Sequence, residues 1–349
     1  MLIVIRGDKD IFLIARKIAL GRPHYMHQHP KMHQHPIFNG IDESHAAELW
    51  GQEPVCISHR LHESRLFARD TLAALIEAYP REDYGIIHMG APGSERRYWR
   101  EGDLNGLSGE QVLEALSMGR LWLNLRNAGK VDHRYKVLLD QLFGELEQHI
   151  PGFSSYRQKC GILISSPGAQ VYYHSDEPGQ MLFQISGRKR VYVYPPKKPF
   201  ITAEDLQHIA ISGLEVDIPY SEWYDEYARV YEFEPGQMLH WPHYAPHRIE
   251  NHDCLNISMT VEFITDRIWR AQKANLADGV LRDRLGWRPQ GAAVSGPVFW
   301  AKAAVGMAWR KTSWFKKQRA LHKRIEFLLD ATLPGAVRNI SPPDLASNA

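Results

Sequence analysis

Residues 161–263 read as a mainly β core, a sandwich or a barrel, with flanking helices on both sides. Three observations predict this. Short apolar runs at 161–165, 181–185, 190–194, 230–233 and 257–263 are separated by Gly, Pro, Asn and Asp, as expected for short strands joined by turns. Ahead of Pro151 the apolar residues recur at helical spacing, and after Arg267 a helical texture returns with Trp287, Trp300, Trp309 and Trp314 set among bases. The chain has 349 residues, 44% hydrophobic and 23% charged, which is globular composition with enough length for one large domain with appendages, or for two.

Residues 1–40 read as a flexible, His-rich leader. Met26-His-Gln-His-Pro-Lys-Met-His-Gln-His-Pro36 is a tandem repeat of five residues around Lys31, and polar tracts with prolines build no core. Met26 and Met32 leave the true start open, and the acids Asp8 and Asp10 argue against a secretory signal. An α/β flank is expected over 41–150. Its parts are an extended run at 54–61 and a helix with apolar positions 67, 71/72, 75/76 and 79, stopped by Pro80. A second helix opens at a Ser108/Gln111 capping box, and a third carries Tyr135, Leu138, Leu139, Leu142, Phe143 and Leu146 on one face. The core is placed at 151–266, a basic helical region at 267–333 and a loose tail at 334–349.

Three cysteines, odd in number and far apart, suggest neither a disulfide framework nor a zinc cluster and favour a reducing, cytoplasmic setting. No apolar run reaches the roughly 18 to 20 residues of a membrane span. Eight of the 42 Lys and Arg fall between 301 and 324, where there is no acid, so the body is mildly acidic and the tail basic. A solvated helical face explains that charge as well as nucleic acid does, and nucleic acid is not the expected partner.

Chemistry concentrates in the β region. His174-Ser175-Asp176 sits at a strand end, and His247 follows in Trp241-Pro-His-Tyr-Ala-Pro-His247. Two imidazoles and one carboxylate on one face leave coordination positions open, as non-haem Fe(II) requires. A lone His-x-Asp is common, however, and His240 and His243 crowd the same turn.

The surrounding residues decide more. His174-Ser-Asp176-Glu-Pro-Gly-Gln-Met-Leu-Phe-Gln184-Ile-Ser-Gly187-Arg-Lys189-Arg190-Val-Tyr-Val-Tyr-Pro195-Pro196, with Gly236-Gln-Met-Leu-His-Trp-Pro242 leading to His247-Arg-Ile249-Glu250, resembles the Jumonji C (JmjC) and cupin-like oxygenases. Within that family the segments are similar to the asparaginyl hydroxylase that inhibits hypoxia-inducible factor. The resemblance implies a double-stranded β-helix of the jelly-roll type, with Fe(II) at His174, Asp176 and His247 and 2-oxoglutarate held by Lys189. It selects His247 over His243 and His240 by its five-residue step from Pro242. A fainter echo lies at Arg120 to Asn124. The chain departs from the family pattern at Trp122 and Val171, where hydroxyl-bearing Tyr and Thr assist the cosubstrate, and at Glu262 in place of an Asn. Trp122 and Asn256 are therefore expected beside Lys189 as cosubstrate-binding residues, with Ser165 and Tyr172 as further candidates.

The expected activity is Fe(II)/2-oxoglutarate-dependent hydroxylation of a polypeptide side chain or small molecule, with no catalytic residues beyond the metal ligands. The alternative is a cupin-fold metal-binding or sensing protein without turnover; metal chemistry without 2-oxoglutarate is a third reading. The Trp-rich C-terminal helices are candidates for a homodimer contact.

Overall fold

Two β-sheets face each other across an apolar interior, and helices cover both outer faces. The computed structural model describes residues 36–89, 99–216, 218–287, 293–313, 315 and 325–340. The His-rich leader through His35, the end of the tail from 341, Trp314 and the bases between 316 and 324 lie outside the described residues.

The flank supplies α1 (Glu43–Leu49), β1 (Val55–Ser58), α2 (Arg69–Ala78), β2 (Tyr84–Met89), β3 (Trp99–Asp103), α3 (Gly109–Met118), β4 (Leu121–Leu125), α4 (Ala128–Val131) and α5 (His133–His149). α3 begins with the expected capping box, as Gln111 N–H donates to Ser108 Oγ at 3.3 Å and Ser108 N–H to Gln111 Oε1 at 3.0 Å. All six apolar residues expected on one face of α5 are buried. Then come β5 (Tyr156–Ser165), β6 (Gln170–His174), β7 (Gly179–Ser186), β8 (Lys189–Val193), α6 (Ala203–Ser212), β9 (Arg229–Phe233), β10 (Gln237–His240), β11 (His247–Asn251) and β12 (Asn256–Ile264). α7 (Asp266–Leu285), α8 (Gly296–Arg310), β13 (Ile325–Leu329) and β14 (Val337–Asn339) complete the chain.

Among the described residues the larger sheet runs β1-β10-β7-β12-β5-β4-β2-β3-β13-β14 and the smaller β6-β11-β8-β9. From β5 to β12 the strands alternate between sheets except at the β8–β9 hairpin, whose two strands both lie in the smaller sheet; the pattern resembles the double-stranded β-helix, although among the described residues no ladder closes the two sheets into one barrel. Leu163, Leu182 and Leu239 of the larger sheet meet Val191, Val193, Phe233 and Ile249 of the smaller in one buried cluster. The opposite face of the larger sheet packs on α2, α3 and α5. The outer face of the smaller sheet is sealed by Tyr173, Tyr192 and Tyr194 with Phe200, Ile209 and Tyr224.

Three parts differ from the sequence expectation. The fold is mixed β/α rather than mainly β, because helices pack against both sheets; β2, β3 and β4 also extend the core sheet through the β4–β5 ladder across position 151. A helix, α6, interrupts the β region, opened by a Thr202/Asp205 capping box. Strands β13 and β14 stand in the region read as helical and loose. Phe327 and Leu329 alternate into the core, and β13 pairs parallel to β3, but the basic run ahead of Ile325 masks this two-residue period.

Backbone irregularities aim the interior side chains. On the ladder between β6 and β11, His247 faces His174 while Ile249 faces Val171, so β6 carries one extra residue. Such a bulge switches which side of the sheet a residue faces: Tyr173 is buried with the aromatics outside, yet Val171 packs against the interior cluster and His174 stands across from His247. The crossing from β7 to β8 turns on Gly187 at φ +77°, where a Cβ would lie 2.3 Å from the Leu255 carbonyl oxygen. Gly187→Ala combines left-handed strain with a backbone clash and is expected to cost about 2 kcal/mol or more, read as a lowered urea midpoint. An unchanged midpoint would mean that this turn is not tight in solution.

Candidate metal centre

β6 ends and β11 begins at the same level of the ladder, which sets His174 across from His247 with ring centroids 4.0 Å apart. Asp176 lies two residues beyond the end of β6. Its Oδ2 is 3.3 Å from His247 Nε2 and its Oδ1 is 3.8 Å from His174 Nε2. One ligand atom from each of the three lies within 4.8 Å of the others, and that compact donor set fits a divalent ion.

The tautomers fit as well. His174 Nδ1 is 2.7 Å from the Tyr172 carbonyl oxygen, and His247 Nδ1 is 3.1 Å from that of Ala245. Each Nδ1–H donates outward, which leaves both Nε2 lone pairs directed at the Asp176 side. Burial and the neighbouring His247 lower His174 to about 4, so its imidazole is neutral at ordinary pH. Burial alone would raise Asp176, but the charge and hydrogen bond of His247, with His174, hold it below its ordinary value. The centre thus offers two imidazole nitrogens and one carboxylate, the donor set of non-haem iron sites.

Residues without a sequence signal hold the two ligand loops. Ser175 N–H donates to the Glu215 carbonyl oxygen at 3.2 Å, Glu177 N–H to Glu215 Oε1 at 3.2 Å, and Ser175 Oγ to the Tyr244 carbonyl oxygen at 3.1 Å. Burial and the Asp176 charge push the Glu215 carboxyl well above its ordinary range. From α7, Gln272 Nε2 donates to the Glu177 carbonyl oxygen at 2.7 Å and Asn275 Nδ2 to Tyr244 Oη at 3.1 Å. His240 stacks on Trp50 at 4.1 Å, and its Nδ1 contacts the Gln180 carbonyl oxygen. His243 Nε2 contacts the Glu177 carbonyl oxygen at 2.9 Å. Neither belongs to the cluster of three.

Lys189 shares the inward parity of Val191 and Val193, and Val193 pairs with His247. Four residues of strand put Lys189 about 13 Å from that level. Its Nζ donates to Ser258 Oγ at 2.8 Å, Ser258 Oγ–H to Gln184 Oε1 at 2.8 Å, and Gln184 Nε2 to Asn256 Oδ1 at 2.8 Å. Burial depresses the ammonium to about 7. Trp122, Ser165 and Asn256 form one row across β4, β5 and β12, and Asn251 Nδ2 donates to Ser165 Oγ at 2.8 Å. The three expected cosubstrate residues are thus drawn to one end of the interior, on different terms. Asn256 spends its amide on Gln184 and on the Cys254 carbonyl oxygen, so it braces the chain that holds Lys189. Tyr172 supplies its carbonyl to His174, and Glu262 pairs with Lys159 at 3.1 Å.

No family model matches the chain. It is 34% identical over 131 residues to tRNA wybutosine-synthesizing protein 5 of Danio rerio, which is 34% of this chain and 38% of that protein. It is 26% identical over 159 residues to HSPB1-associated protein 1 of Homo sapiens, covering 41% and 33%. The chain thus matches well under half the length of these curated relatives. Among solved structures it is similar to ycfD of E. coli, with a TM-score of 0.47, 17% identity, and 81% and 71% of the two chains covered. It is also similar to YcfD, a ribosomal oxygenase from Escherichia coli in complex with cobalt and 2-oxoglutarate, at a TM-score of 0.45, 18% identity, and 82% and 73% coverage. These matches lend no support to a specific likeness to the asparaginyl hydroxylase.

If the cluster binds metal, His174→Ala, Asp176→Ala and His247→Ala each weaken Co(II) binding at least a hundredfold by calorimetry, while His240→Gln stays within a few-fold of the parent. Equal losses for His240→Gln would mean the wrong imidazole has been assigned.

Proposed function

We propose that the chain is an Fe(II)/2-oxoglutarate-dependent oxygenase that hydroxylates a C–H bond of a polypeptide side chain or small molecule. The observation that carries this is the pairing of a two-His, one-carboxylate cluster with a buried lysine along one interior face. Fe(II) held by His174, Asp176 and His247 would supply coupled oxidation by dioxygen, in which substrate, dioxygen and 2-oxoglutarate give hydroxylated substrate, succinate and carbon dioxide.

The chain's own residues set the conditions. The outward Nδ1–H bonds fix the tautomer and orientation of both imidazoles. Lys189 provides the cation for the far carboxylate of the cosubstrate, and Ser258 and Gln184 hold it in place. Trp122 packs against the same interior cluster as Leu163 and Val191, where it would border the cosubstrate. The apolar interior keeps water from screening this charge pair, and an unpaired carboxylate there would be costly.

Succinate release in the presence of Fe(II), 2-oxoglutarate and air tests the reading, because a metal-binding sensor would release none. Lys189→Ala is expected to raise the 2-oxoglutarate requirement by about two orders of magnitude or more while metal binding stays intact. Lys189→Arg should rescue little, because a planar fork does not fit a point-charge site.

A pH dependence follows from the same lysine. Its folded value of about 7 means that above pH 7 binding of the anion must first bring a proton onto Lys189. Affinity for 2-oxoglutarate should therefore be flat below about pH 7 and fall by up to about tenfold per unit above it. A fall of equal slope in Lys189→Ala would assign the proton to another group.

A further inference from the structure

Helix α8 carries two opposite faces, and only one of them is covered among the described residues. Phe299, Lys302, Ala303 and Gly306 are buried. Phe299 meets Trp269 of α7 with ring centroids 6.1 Å apart, Lys302 sits 2.6 Å from Asp278 of α7, and a Cβ at Gly306 would lie 3.4 Å from the Ala277 nitrogen. That contact locks α8 onto α7. The opposite face is exposed, and from Pro297 to Ala308 every exposed residue is Pro, Val, Trp, Ala or Met. Val298 is 59% exposed, Trp300 46%, Val305 44% and Met307 41%. A helix that is apolar all round is ordinarily enclosed, and an exposed apolar stretch of four turns marks a surface for a partner.

The charge around this face has one sign. Between Asp283 and Glu326 the chain has ten Lys and Arg and no acid. Arg284 lies 5.4 Å from the Trp309 ring centroid, and Arg270 of α7 lies 5.7 Å from that of Trp300. Exposed Arg310 and Lys311 close α8. On α7, Asp278 is held by Lys302 and Asp283 pairs with Arg282 at 3.1 Å. The exposed Trp287 ring stands 6.0 Å from Lys302 Nζ, so the apolar surface continues beyond the helix.

We propose that the exposed face of α8 docks on an anionic lipid bilayer, lying in the headgroup plane while the surrounding bases meet the lipid phosphates. An apolar face ringed by cations is the pattern of interfacial helices, and tryptophan favours that depth. Charge complementarity selects this occupant. A second copy of the chain would bring the same acid-free stretch and set like charge against like. Nucleic acid would take the bases but leave the uncharged face unused, since its contacts are mostly polar ones to phosphate and sugar. The helix lies on the bilayer rather than across it: its 15 residues span about 22 Å, short of the roughly 30 Å hydrocarbon core.

The test is co-sedimentation of the full chain with vesicles of phosphatidylcholine and phosphatidylserine, or of phosphatidylcholine alone. The parent is expected to bind the mixed vesicles, and to bind pure phosphatidylcholine, or mixed vesicles in about 0.5 M salt, at least tenfold more weakly. Val305→Glu and Val298→Glu should each weaken binding to mixed vesicles about tenfold or more, whereas Val305→Leu stays within a few-fold of the parent. Both valines are exposed, so the urea midpoint should not move. The proposal is overturned if the parent stays in the supernatant with mixed vesicles, if the two glutamate variants bind like the parent, or if both vesicle types bind equally. A parent that sediments as a dimer and a Val305→Glu variant that sediments as a monomer would make this face a contact between copies and overturn it too. Tighter binding of a single-stranded oligonucleotide than of mixed vesicles would likewise overturn it, assigning the charge to nucleic acid.

Discussion

Everything at the candidate centre depends on the bulged ladder between β6 and β11. A regular two-residue alternation through Tyr172 and Tyr173 would send His174 and Val171 to opposite sides of the sheet. With one residue inserted, Tyr173 buries itself among Tyr194, Tyr220 and Tyr224, and His174 still faces His247. The outer aromatic cluster and the inner metal cluster are therefore two results of one backbone irregularity. Tyr173 Oη donates to the Phe200 carbonyl oxygen at 2.7 Å, which pins the bulge from outside. Packing on the outer face thus helps fix the geometry inside.

The interior is graded along its length. One end holds two imidazoles and a carboxylate, the middle is aliphatic, and the other end holds a lysine on a chain of three polar side chains. Each buried polar group in that chain has a partner, so its desolvation cost is offset and its orientation fixed. The ammonium of Lys189 remains the least satisfied member, with one hydroxyl as acceptor. An anion arriving from the metal end would relieve that deficit. This makes the lysine a cost to the empty fold and, in the proposed reading, a handle for a dicarboxylate.

The helices were legible wherever one face alone is buried, as in α5, and the capping box of α3 was legible as a local hydrogen-bond pattern. Five strands of the core, β5, β7, β8, β9 and β12, were legible as apolar runs between turn residues. β13 was not, since a short alternating run behind a basic stretch gains its strand character by pairing with β14 and, across more than 200 residues of chain, with β3. At the candidate centre, His174, Asp176, His247 and Lys189 were singled out by the resemblance of two motif segments to a known family, and the fold sets the first three together. Glu215, Ser258, Gln272 and Asn275 were not, because each acts through a contact made only after distant elements pack. Asn256, expected beside Lys189, has its amide committed to Gln184 and the Cys254 carbonyl, which no reading of residue type reveals.

The central claim is that one interior holds a metal at His174, Asp176 and His247 together with a 2-oxo acid anchored by Lys189. Anaerobic addition of 2-oxoglutarate to the Fe(II)-loaded chain tests it most directly, since a 2-oxo acid chelating Fe(II) produces a visible charge-transfer band. The expected result is a band that saturates at one equivalent of iron, is absent in Asp176→Ala, and in Lys189→Ala appears only at far higher 2-oxoglutarate. A parent protein that binds one Fe(II) tightly and shows no band at any concentration of 2-oxoglutarate would contradict the claim.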